Sequence, residues 1–169
     1  MKHFPKTYQD IFDTVDYCLK TDRAIPGLIL IYSAIDSFSD LANRTSRKGR
    51  KVFMEWVKKW MLEKSPLPCS EVDIYSARCA LLHSQTSESD LTSISEAREI
   101  YYVHGDKDVR VLQFALDNSQ QKNAIALRIE DLHLAFMQAM NNCMMEINKD
   151  VEWRKIFNIK ANKFLVTIN

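Results

Sequence analysis

The stretch Glu99-Ile100-Tyr101-Tyr102-Val103-His104-Gly105-Asp106-Lys107-Asp108-Val109-Arg110-Val111-Leu112-Gln113-Phe114-Ala115-Leu116 breaks the pattern of a chain whose apolar residues otherwise recur three or four apart. β-Branched and aromatic residues flank a run of turn formers, so the reading is two strands, 100–103 and 109–116, joined as a hairpin. Residues 124–129 add a third strand after the polar run 117–123. That segment decides the fold class. The expectation is α+β, predominantly α: a helical bundle with a small antiparallel β-hairpin or three-stranded meander inserted before the C-terminal helices.

Outward from the insertion, the grammar is helical. Tyr8, Ile11, Phe12, Val15 and Leu19 share one face of a first helix. Pro26 suits the first turn of a second, which runs to about Asn43 with Ile31, Ile35, Phe38 and Leu41 as its stripe. Val52, Phe53, Trp56, Val57, Trp60 and Met61 give a third helix the strongest periodicity in the chain. Ser70, followed by Glu71 and Asp73, caps a fourth that ends near His83. Residues 84–95 read as a Ser/Thr-rich loop holding one helical turn at most. Beyond the sheet, Glu130-Asp131 opens a long helix to about Lys149, and its stripe includes Met137, Met140 and Met144. Further helical turns over 153–164 close the chain.

With 169 residues, 46% of them hydrophobic, one core is the expectation: a single domain made of a bundle (6–83), the sheet (99–129) and C-terminal helices (130–164). A net charge of +1 excludes a generic polyanion binder. The N-terminus has no uninterrupted apolar run to act as a signal peptide. No apolar run reaches the roughly 20 residues of a membrane span, so the reading is cytoplasmic with no membrane contact. Cys18, Cys69, Cys79 and Cys143 form no metal-ligand spacing, and three glycines leave no phosphate loop. Metal, ATP and dinucleotide cofactors are therefore not expected.

One segment carries chemistry: Asp73-Ile74-Tyr75-Ser76-Ala77-Arg78-Cys79-Ala80-Leu81-Leu82-His83. An Arg followed after four residues by His, at the end of a bundle helix, resembles the active-site motif of the HEPN ribonuclease superfamily. Arg98 with His104 and Arg128 with His133 have similar spacing, but they touch the expected strands. The resemblance covers residues 6–83 and implies a homodimeric helical bundle that cleaves RNA without a metal or other cofactor. It also implies a role as a toxin or defence component, with an antitoxin or nucleotidyltransferase as partner.

On that reading His83 is the general acid/base, because an imidazole titrates near neutrality. Arg78 holds the scissile phosphate, whose oxygens match the guanidinium fork. Asp36, Tyr75 and Ser76 are candidate supports. Eight basic and two acidic residues lie between Arg44 and Lys64, and Arg44, Arg47, Lys48, Arg50 and Lys51 are the candidate contacts to an RNA backbone. The competing reading is a noncatalytic, dimeric interaction or ligand-binding domain, favoured by Cys79 where many HEPN enzymes carry a polar residue after the Arg. In that case Arg78 pairs with Asp73 or Glu71, and His83 caps helix carbonyls.

Overall fold

Three residues separate the first two helices, and one of them, Asp22, adopts a φ of 59° as the chain reverses. The computed structural model describes residues 4–65, 67–84, 89–93, 96–119 and 123–163; the side chains of 4, 5, 83, 84 and 93 lie outside that description. Helix α1 (Phe4–Lys20) packs along α2 (Ala24–Ala42), burying Tyr8, Phe12 and Val15 against Ile31, Ile35 and Phe38. By length and composition α2 would span a membrane, yet half of it is buried within the fold, as befits a core helix.

Helix α3 (Arg50–Trp56) continues into π-helical turns over Val57–Leu62. Against it runs α7 (Ile129–Lys149), whose Phe136 lies 5.8 Å from Phe12, 6.1 Å from Trp56, 6.4 Å from Phe38 and 6.5 Å from Tyr8, ring centre to ring centre. Helix α8 (Val151–Ala161) starts at Asp150, which accepts from the Trp153 N–H at 2.9 Å. It also closes the end of α2. The Trp153 indole donates to the Ala42 carbonyl at 2.7 Å, and the Lys160 ammonium donates to the carbonyls of Asp40 and Asn43 at 2.6 and 3.0 Å.

Helix α4 (Glu71–Cys79) begins as its sequence requires, with a capping box. The Asp73 N–H donates to Ser70 Oγ at 3.2 Å, and the Ser70 N–H donates to Asp73 Oδ2 at 2.8 Å. It passes into a π-helical turn over Ala80–Ser84. Within the segment read as a loop, α5 (Asp90–Ser93) forms one turn, while 85–88 and 94–95 lie outside the described residues. The expected helical end at Phe164 lies outside them as well.

The sheet corrects the sequence reading. Strands β1 (Glu99–Val103) and β2 (Ala124–Arg128) pair in parallel, Glu99 opposite Ala124 and Val103 opposite Arg128. There is no antiparallel hairpin or meander among the described residues. What was read as a second strand is helix α6 (Val109–Asp117), and it carries the chain back across the sheet as a parallel pair requires. Asp108, read as a turn residue, is the helix cap and accepts from the Arg110 N–H at 2.9 Å. Leu112 and Leu116, four apart, face inward, whereas Val111 and Phe114 are exposed. The strand preference of Val109 and Val111 is a weak prior, overridden by the cap and by packing on the sheet. The turn itself is at Gly105, whose φ of 65° suits glycine and whose N–H donates to Glu130 Oε1 at 2.7 Å.

Candidate phosphate-binding cleft

Helices α2, α3 and α4 surround a cleft of about 250 Å³. Position 36 on α2 and position 78 on α4 face each other across it, and Arg78 Nη2 donates to Asp36 Oδ2 at 2.8 Å. Burial opposes the charge of Arg78, but Asp36 outweighs it and holds the guanidinium more firmly protonated than usual. The Arg78 side chain is 19% exposed and that of Asp36 41%, so the pair still meets solvent on one side. Asp40, one helical turn beyond Asp36, also lines the cleft, as do Lys48, Arg50 and Tyr75.

Tyr75 belongs to this site through its ring. Arg50 lies 5.7 Å from the ring centre, and Phe53 meets the ring edge-on at 5.5 Å. Burial and a hydrogen bond with the Cys79 thiol push the phenol upward, and the Cys79 sulfur is 3.9 Å from Arg78 Nη1. Ser76 is elsewhere: it is buried and its hydroxyl lies 2.5 Å from that of Ser89, anchoring the segment that leads into α5. His83 falls in the π-helical turn, with its side chain outside the described residues. On an ideal α-helix residues five apart diverge by about 140°. The i→i+5 bonding of a π turn narrows that gap, and such turns are frequent at functional sites.

The alternative partners of Arg78 are engaged with other residues. Asp73 accepts from Arg98 Nη2 at 2.7 Å and from the Arg98 backbone N–H at 2.7 Å, and Glu71 lies 3.7 Å from Lys58. The arginines of the two other Arg–His spacings are bound to other groups. Arg98 is held by Asp73, and Arg128 donates to the carbonyls of Gly105 and Lys107. His133 is buried edge-on to Phe12; burial pushes its imidazole downward although Asp16 stands 3.6 Å away.

The five basic candidates are distributed over two adjoining clefts and a further groove. Lys48 and Arg50 line the Arg78 cleft, Arg47 and Lys51 line a groove with Lys58 and Glu71, and Arg44 pairs with Asp150 at 2.8 Å. Sequence reasoning missed Ser39 and Asp40 as cleft residues, although the four-residue spacing of Asp36 and Asp40 on an apolar helix was a usable signal. Among the described residues, no three His, Cys, Asp or Glu side chains gather as metal ligands. No family model, curated protein or solved structure matches this chain.

Proposed function

We propose that the chain is a metal-independent endoribonuclease of the HEPN kind, acting in the cytoplasm as a toxin or defence component. The observation that carries this reading is Arg78, held by Asp36 at 2.8 Å on the wall of a cleft shared with Lys48, Arg50 and Tyr75. A buttressed guanidinium that still reaches solvent is suited to a phosphate, whose developing charge it meets without reorganising. In the reaction the 2′-oxygen attacks the adjacent phosphorus, its proton passes to a base, and the bond to the 5′-oxygen breaks as that oxygen takes up a proton. His83, in the π-helical turn that follows α4, supplies the acid/base group. A homodimer, and an antitoxin or nucleotidyltransferase partner, belong to this proposal through the family resemblance alone.

The test is cleavage of unpaired and structured RNA in EDTA by the parent, Arg78→Ala, His83→Ala and Asp36→Asn, each checked for an unchanged melting curve. The parent should leave cyclic-phosphate ends. The first two variants should lose at least about a hundredfold in kcat, the usual scale for a charge stabiliser or general acid/base. Asp36→Asn should lose about tenfold by loosening Arg78, with Asp36→Glu recovering part of it. Neutralisation of Arg78 by Asp36 favours the second reading, a noncatalytic dimeric interaction or ligand-binding domain. A folded parent that binds RNA and cleaves none establishes that reading.

A further inference from the structure

A second cleft of about 400 Å³ opens beside the first, and the two meet at Ser39 and Val52, which line both. Arg44 and Trp153 form one wall, with the guanidinium carbon 4.0 Å from the ring centre and Nη2 held by Asp150 at 2.8 Å. Beside it, the Trp60 ring packs 6.3 Å from that of Trp153, and the Lys59 ammonium stands 4.8 Å from the centre of the Trp60 ring. Arg50 over Tyr75 repeats the arrangement in the first cleft. Cations lying on aromatic faces thus recur along the joined clefts.

We propose that the second cleft binds the nucleotides flanking the scissile phosphate, as an unpaired RNA strand. This rests on the reading of the Arg78 cleft as an RNA phosphate site and extends it to a substrate class. Charge is the first reason: of the residues that line this cleft Arg44 and Lys59 are cationic and Glu55 is acidic, a positive surplus that suits a strand carrying one phosphate per nucleotide. The second is shape. Arg44 is held beside the Trp153 ring, its guanidinium carbon over the ring centre, and its side chain is 51% exposed, so the pair offers a surface on which an unstacked base can lie. A duplex keeps its bases stacked on each other, and an acidic peptide has no ring to place there. The third is continuity. Ser39 and Val52 line both clefts, so one strand can pass from the Arg78 cleft into the second without leaving the surface.

The experiment is fluorescence anisotropy of the full chain in EDTA with a labelled, 2′-O-methylated ten-nucleotide RNA that cannot be cleaved, from about 50 to 200 mM salt. The Arg44→Gln, Lys59→Gln double variant should bind at least about tenfold more weakly, and its log–log salt slope should be shallower by about 1.4, the value for two lost single-strand phosphate contacts. Arg44→Lys, which keeps the charge and loses the plane, should fall between variant and parent. Lys59→Gln alone, at an exposed position, reads the groove if the double variant melts early. Parent-like affinity and salt slope in both Lys59→Gln and the double variant overturn the proposal. So does equal binding of the RNA duplex, or a polyglutamate peptide that displaces the strand as well as unlabelled RNA does. Strand binding with the expected dependence, from a parent that cleaves no RNA, leaves the groove standing and removes only the catalytic reading. Cleavage of a dinucleotide RNA by the parent, alongside variants that bind like the parent, removes the groove and leaves the cleft.

Discussion

Asp36 and Arg78 are 42 residues apart in the chain and meet because α2 and α4 face one cleft. At the same time Asp73, five positions before Arg78 and a candidate partner by sequence alone, is taken by Arg98, the residue before β1. Burial pushes the Asp73 carboxyl upward, but the hydrogen bonds from Arg98 and Ser70 outweigh it and hold it below its ordinary 3.8. A carboxyl depressed on folding stabilises the native state above its unfolded pKa, and that contribution fades as acid carries the solution through the folded value. Asp73→Asn should therefore cost about 3 kcal/mol at pH 7, since it leaves Arg98 without its anion and weakens the cap of α4. Urea unfolding at pH 7 and again below about pH 3 checks this, because the gap between variant and parent should narrow in acid.

At the scale of the element, α6 shows how a strand-like composition becomes a helix. As a strand, residues 109–116 would place Leu112, Phe114 and Leu116 on one face; as a helix they place Leu112 and Leu116 together and turn Phe114 away. The structure buries Leu116 and exposes Phe114. Leu116→Ala should accordingly cost about 2–3 kcal/mol, while Phe114→Ser should change stability by no more than about 0.5 kcal/mol. Equal losses in the two variants, measured by denaturant unfolding, would return the segment to a strand. The helices with stripes at one spacing were legible throughout: Ile31, Ile35, Phe38 and Leu41 on α2 all proved buried. The π-helical turns of α3 and α4 were not legible, since an i→i+5 bond leaves the apolar spacing of so short a segment nearly unchanged.

Across the whole molecule, rings from three helices, α1, α2 and α3, converge on Phe136 of α7, and α8 is joined to the same cluster through Phe157, 6.2 Å from Phe38. Nearly all the apolar stripes of the helical elements end in this one cluster, which also takes in Ile100, Ile125 and Leu127 from the two strands. Phe136→Ala should cost about 3–5 kcal/mol, because the cavity it leaves is ringed by aromatic residues on separate helices that cannot all collapse into it. Unfolding should remain a single transition if helices and strands form one cooperative unit. Loss of only part of the helical signal in a first, separate transition would show that the clusters are independent.

Apart from α6, the main helix positions, their buried faces, the Ser70 cap and the placing of Arg78 near the end of a helix were determined by the sequence itself, because periodicity and capping are read within a few neighbouring residues. Tertiary structure alone decided that β1 and β2 run parallel, since strand direction follows from where α6 lays the returning chain. It also decided that Arg78 takes Asp36 while Asp73 takes Arg98, and that the basic run from Arg44 to Lys64 is shared between the two adjoining clefts and a further groove. Which opposite charges meet, and how far each is desolvated, depends on helices brought together from distant parts of the chain.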